Sequence, residues 1–184
     1  MYIQTQETPN HNTLKFIPGI EVTKKGSYHF NKVDNDYSCS PLAKKLFEIE
    51  GIKSVFFGND FVSITKEENM KWKKIRTYIL TELIDYFMTE MPITEEKNTV
   101  SKKANKSNNA KIEKQIIELI DTRVRPAVAG DGGDIIYDKF EDGVVYLKLR
   151  GACKGCPSAG ITLKHGIENM LKHYIPEVKS VESV

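Results

Sequence analysis

Apolar positions along this chain fall into two patterned blocks separated by a stretch with no pattern. In the first block, MYIQTQET and TLKFIPG alternate as strands do, with Pro9 and Asn10 supplying turn chemistry between them. SPLAKKLFEI opens on a helix-start signature, Ser40 as N-cap and Pro41 at the first helical position. IKSVFFGNDFVSITK reads as a hairpin. Val55 and Phe57 face one way, Val62 and Ile64 alternate in the return strand, and Gly58, Asn59 and Asp60 reverse the chain. Trp72, Ile75, Ile79, Leu83 and Phe87 then recur at helical spacing up to Pro92.

The second block begins with Ile112, Ile116, Leu119, Ile120 and Val124 on one helical face, and Pro126 is expected to end that helix. GDGGD follows, its glycines free to take positive φ and turn the chain into a strand. DIIYDKFEDGVVYLKLRG predicts a hairpin, with Val145, Leu147 and Leu149 alternating against Val144, Tyr146 and Lys148. A further helix is predicted from about Pro157, burying Leu163, Ile167, Met170, Leu171 and Tyr174, and EVKSVESV makes a short terminal strand. The fold class is therefore α+β: two small α/β-sandwich-like domains, the C-terminal one α-β-β-α-β with a three-stranded sheet.

Between the blocks, PITEEKNTVSKKANKSNNA has no aromatic residue and neither period. Such a segment buries too little apolar surface to offset its ordering entropy, and it predicts a flexible linker over 93–110 between domains at 1–92 and 111–184. Charge follows the same division. Residues 1–92 carry twelve basic and twelve acidic side chains, residues 111–184 eleven of each, and the net +2 lies in the linker. With no long basic run, nucleic acid is not an expected partner. No apolar run approaches the roughly 20 residues of a membrane span. Three cysteines form no disulfide framework, and nothing resembles a secretory signal, so a reducing cytosol is the expected setting.

Chemistry concentrates in GACKGCPSA, where Cys153 and Cys156 form a CxxC pair. Pro157 favours the first turn of a helix, which sets Cys156 at or beside its N-cap. Backbone N–H groups and the helix dipole there stabilise a thiolate, the metal-binding form, and bring cysteine pKa values to about 3.5–7.5. Gly151 and Gly155 remove bulk on both sides, and Lys154 adds positive charge. Zinc and the common iron–sulfur clusters want four ligands. His165 lies about 12 Å along the helix, His173 lies further, His11 and His29 belong to the other block, and no Asp or Glu stands in the loop. Cys39 has no partner at ligand spacing and reads as a surface or half-buried thiol. Two chains meeting about a two-fold axis would supply four thiolates, a set that selects iron–sulfur clusters or zinc. A thiol–disulfide oxidoreductase also uses CxxC at a helix N-terminus, although the hairpin does not suggest the βαβ setting of that motif. A two-coordinate copper carrier is a weaker alternative.

The second block resembles the NifU-like C-terminal domain through RPAVAGDGGDI (Arg125–Ile135), GACKGCPSA (Gly151–Ala159) and the IPEVKSVESV ending. The first resembles the N-terminal domain of the longer Nfu proteins through TPNHNTLKFIPG and SPLAKKLFEIEGIKSVFFGNDFVSITK, with His11 standing where many members have proline. The resemblance implies a non-enzymatic iron–sulfur cluster scaffold or carrier that holds a [4Fe–4S] cluster, or a [2Fe–2S] form, between two protomers. Its ligands carry over to Cys153 and Cys156, while Cys39 lies outside the motif. Implied partners are a second copy of the chain, upstream cluster-assembly proteins and apo-protein recipients, with no membrane or nucleic acid. Location follows as a bacterial cytoplasm, or a mitochondrial matrix if the chain is a processed eukaryotic one. The DGGD segment is expected to be structural, with Asp131 and Asp134 capping or hydrogen-bonding the chain.

Overall fold

The computed structural model describes residues 1–24, 26–34, 36–89, 91–93, 110–154 and 157–184, the last span with backbone alone for 157–160. The chain divides into two compact units, Met1–Asn98 and Thr99–Val184. Most of the stretch expected to be a linker, 94–109, lies outside the described residues.

The first unit is a five-stranded antiparallel sheet with two helices. Its strands are β1 (Gln4–Glu7), β2 (Thr13–Ile17), β3 (Tyr28–Asn31), β4 (Ile52–Phe57) and β5 (Val62–Lys66), in the order β1-β2-β5-β4-β3. Helix α1 (Pro41–Glu48) starts as expected: Ser40 Oγ accepts from the Ala43 amide at 3.2 Å and Pro41 occupies the first turn. Leu42, Leu46, Ile79 and Leu83, the last two on α2 (Trp72–Met88), join Phe16, Val55, Phe57 and Ile64 in one core. The same Ser40 hydroxyl donates to the Ile93 carbonyl at 2.6 Å, and Tyr86 donates to the Pro92 carbonyl at 2.8 Å. The chain leaving α2 is thereby held against its own domain. Strand β3 was not expected from the sequence, because only Phe30 of its four residues is buried.

The second unit runs α3 (Ala110–Leu119), a π-helical turn (Ile120–Val124), α4 (Arg125–Gly130), β6 (Gly133–Glu141), β7 (Val144–Gly151), α5 (Pro157–Tyr174) and β8 (Ser180–Ser183). Its sheet has the order β6-β7-β8, with β6 antiparallel and β8 parallel to β7. Ile116, Ile120 and Val124 are buried as the period predicts, together with Val145, Leu147, Ile167 and Leu171.

Three expectations are corrected. Pro126 does not end the first helix: the Arg125 amide reaches back to the Ile120 carbonyl, and the helix continues to Gly130 with the proline directly after the π-turn. Tyr174, at the end of α5, is 47% exposed, its ring lying under the Arg123 guanidinium 5.0 Å from the centroid. Finally, β7, α5 and β8 make a parallel strand–helix–strand crossover, so a βαβ setting does surround the cysteine motif. The pattern of EVKSVESV gives a strand but not its direction, and the direction decides this point.

Candidate functional site

The hairpin that carries the cysteine loop is set by its own turn. Asp142 and Gly143 both take positive φ, 53° and 86°, which suits the right-handed twist of the strands they join. From there β6 and β7 run in register to Gly133 opposite Gly151, with one irregularity between Tyr137 and Lys139. The loop begins where β7 ends, at Gly151, and leads to α5 at Pro157.

Cys153 is buried, 6% exposed, and packs within the core of its unit. Cys156 and Gly155 lie outside the described residues, as do the side chains of 157–160. Lys154 is exposed. His165 and His173 are both exposed, and His173 stacks edge-on against Tyr174 with centroids 5.0 Å apart. Cys39 is half-buried against the core of the first unit. Among the described residues no group of three or more His, Cys, Asp or Glu could hold a metal ion.

The DGGD segment is the wall against which Cys153 rests. Gly132 takes φ 79°, the turn expected of it. Gly133 serves a different need, close approach: a Cβ there would stand 2.5 Å from Cys153 Sγ and 2.9 Å from the Arg150 carbonyl. The Gly132 carbonyl also accepts from the Ala152 amide at 3.1 Å, tying the start of the loop to the same turn.

Asp134, next in line, is buried and makes a fork-to-fork pair with Arg125. Nε donates to Oδ1 at 2.9 Å and Nη2 to Oδ2 at 3.0 Å. The Ile135 amide adds a third donor at 2.8 Å, and Arg125 Nη1 reaches Asp121 at 3.2 Å. A buried carboxylate needs such complete pairing to offset its lost hydration. The Asp134 hydrogen bond holds the Arg125 guanidinium above its usual pKa range. The expectation that Asp134 binds the chain is met through its bond to Ile135. Arg125 stands in the RPAVAGDGGDI stretch, but its pairing with Asp134 is not legible there, because a contact nine residues apart across a turn follows neither helical nor strand period.

Two family models match the chain: the scaffold protein Nfu/NifU N-terminal domain over residues 3–90, and the NifU-like domain over residues 116–182. Over its full length the chain is 50% identical to the human NFU1 iron–sulfur cluster scaffold homolog, mitochondrial, and spans 72% of that protein. It is 46% identical to the Drosophila persimilis protein of the same name and 48% to the Drosophila willistoni one, and spans less than two thirds of each, 65% and 64%. A solution structure of a NifU-like protein from Saccharomyces cerevisiae aligns at 25% identity with a TM-score of 0.48, covering 53% of this chain and 87% of that one. No helix among the described residues is long and apolar enough to cross a membrane.

Proposed function

The chain belongs to the Nfu/NifU family, and from that premise we propose that it is an iron–sulfur cluster scaffold and carrier that delivers its cargo to apo-proteins. One observation carries this function: the CxxC pair stands in the stretch between the end of β7 and the start of α5, in a chain 50% identical to an iron–sulfur cluster scaffold homolog. Cys153 and Cys156 give half of the four thiolates that an iron–sulfur cluster takes. A second copy of the chain, related by a two-fold axis, completes the set around a [4Fe–4S] cargo. Ile161, one helical turn beyond Pro157, supports such a contact, because it leaves an apolar side chain 67% exposed beside the loop.

Cargo shared between protomers leaves by ligand exchange. A recipient thiolate attacks an iron and displaces Cys153 or Cys156, which leaves as thiolate, and repetition transfers the cluster stepwise. No general acid or base is needed, and the protein acts as a carrier rather than an enzyme. The mitochondrial relatives favour the mitochondrial matrix over a bacterial cytoplasm as the compartment.

The parallel β7–α5–β8 crossover favours a second function, thiol–disulfide exchange, since it gives the CxxC pair the strand-to-helix setting of that chemistry. Iron and sulfide quantitation with Mössbauer spectroscopy on anaerobically reconstituted protein separates the two. The carrier takes up about four iron and four sulfide per two chains, and Cys153→Ala abolishes the uptake. Full uptake by Cys153→Ala refutes the ligand assignment, and insulin-reducing turnover without uptake establishes the exchange enzyme.

A further inference from the structure

We propose that Arg125 and Asp134 form a clamp that positions Cys153, acting through Gly132 and Gly133; the role rests on the carrier function and extends it to a residue pair outside the cysteine loop. Three contacts and one peptide link make a continuous path. Arg125 grips Asp134 through two parallel bonds of 2.9 and 3.0 Å. Asp134 is the second residue of β6, directly after Gly133. The Cys153 sulfur lies over Gly133 so closely that a methyl group there would overlap it, at 2.5 Å. Gly132 holds the amide of Ala152, the neighbour of Cys153, at 3.1 Å.

The pair is an unusual choice if it serves stability alone. Only the carboxylate is buried, the guanidinium being half-exposed, and a buried polar position is commonly replaced by apolar packing without loss. A planar guanidinium meeting a carboxylate fork-to-fork fixes direction as well as distance, which apolar packing does not. The chain also adopts an irregular turn to make it. The π-turn at Ile120–Val124 adds one residue to a helical turn, which rotates every later side chain by about 100°. Arg125 is the first residue after that turn. With the extra residue in place, Arg125 reaches the start of β6 while Ile116, Ile120, Val124 and Val128 all stay in the core. The irregularity thus serves the clamp at no expense to the buried face.

A clamp of this kind sets where the sulfur sits before any cargo arrives, so it is testable on the unloaded 184-residue chain. In a Cys39→Ser, Cys156→Ser background, N-ethylmaleimide labelling reads Cys153 alone, and hydrogen exchange reads the Ala152 amide against Val145 and Leu147 in the central strand. Asp134 is buried while Arg125 is half-exposed, and breaking such a charged hydrogen-bond pair should still leave a buried carboxylate short of its donors and raise local opening about tenfold. Arg125→Ala is therefore expected to speed both Cys153 labelling and Ala152 exchange well beyond any change at Val145 and Leu147. Arg125→Lys, which keeps the charge but not the fork, should restore only part of the effect. Asp134→Asn, nearly the same shape, is the variant to use if Arg125→Ala does not fold. Equal acceleration at Ala152, Val145 and Leu147 would reduce the pair to ordinary structural support and overturn the proposal. So would unchanged labelling, whether or not Ala152 exchange changes. Iron uptake by the parent chain is scored separately: its absence would remove the carrier function while leaving the thiol measurements interpretable.

Discussion

Replacing Gly133 by alanine puts one methyl group where Cys153 Sγ and the Arg150 carbonyl already are, at 2.5 and 2.9 Å. Neither the backbone carbonyl nor a buried sulfur yields easily, and overpacking of this kind costs about 1–3 kcal/mol. Gly133→Ala should lower the unfolding free energy of the second unit by that amount, read as a lower denaturant midpoint, and leave the first unit's transition unmoved. Ser40→Ala gives the converse result. It removes the α1 cap and leaves the Ile93 carbonyl without its donor, at a cost of about 1–2 kcal/mol confined to the first unit. The two residues also show what the sequence makes legible. Ser40 is readable because a cap is a local device, closed within one turn of helix and marked by the proline that follows. Gly133 is readable only as a turn glycine, since the sulfur that requires it belongs to a distant part of the chain brought alongside by the β6–β7 register. The burial of Cys153 stayed hidden for the same reason. Local pattern identified the motif but not the depth at which the fold seats it.

Elements with a strong period were legible in the same way, whereas connections between elements were not. Helix α1 follows from its start signature, and helices α2 and α5 and the two central hairpins follow from their apolar spacing. The parallel docking of β8 does not, because direction is set by what α5 does to the chain between the strands. The tie between α5 and β8 has its own chemistry. Glu168 on α5 accepts from Lys172 at 2.6 Å and from the Val181 amide at 3.1 Å. These two bonds, the lysine's first, hold its carboxyl below the 4.5 of an ordinary glutamate. A lowered folded-state pKa means that the tie is fully present above the ordinary value and is lost as pH falls through the lowered one. Exchange at the Val181 amide, corrected for intrinsic rates, should therefore accelerate on acidification below about pH 4.5, while Leu147 changes less. Glu168→Gln should show the faster exchange already at neutral pH and respond little to acid. An identical response in the variant would assign the acid sensitivity to other groups.

At the scale of the molecule, each unit has a core of its own, so the proposed binding and delivery of cargo should be separable. Removing residues 1–92 should leave iron and sulfide uptake intact and change transfer rates to some apo-protein recipients; unchanged transfer to every recipient would deny the first unit a part in delivery. The proposed assembly makes a sharper demand, because in it one chain offers two thiolates to a cargo that takes four. Ile161 is the place to test it. Its side chain is 67% exposed in the single chain, so Ile161→Glu removes no core packing, and such surface changes usually stay within about 0.5 kcal/mol. An acidic residue near a helix N-terminus is if anything favoured by the dipole. The unloaded variant should then match the parent in denaturant midpoint. Loaded under anaerobic conditions, the parent should run in light scattering at twice the mass of one chain. The variant should stay at the mass of one chain with most of its iron uptake lost, since two glutamates facing each other across the axis repel and desolvate poorly. A variant that pairs and loads as the parent does would move the protomer contact away from the first turns of α5.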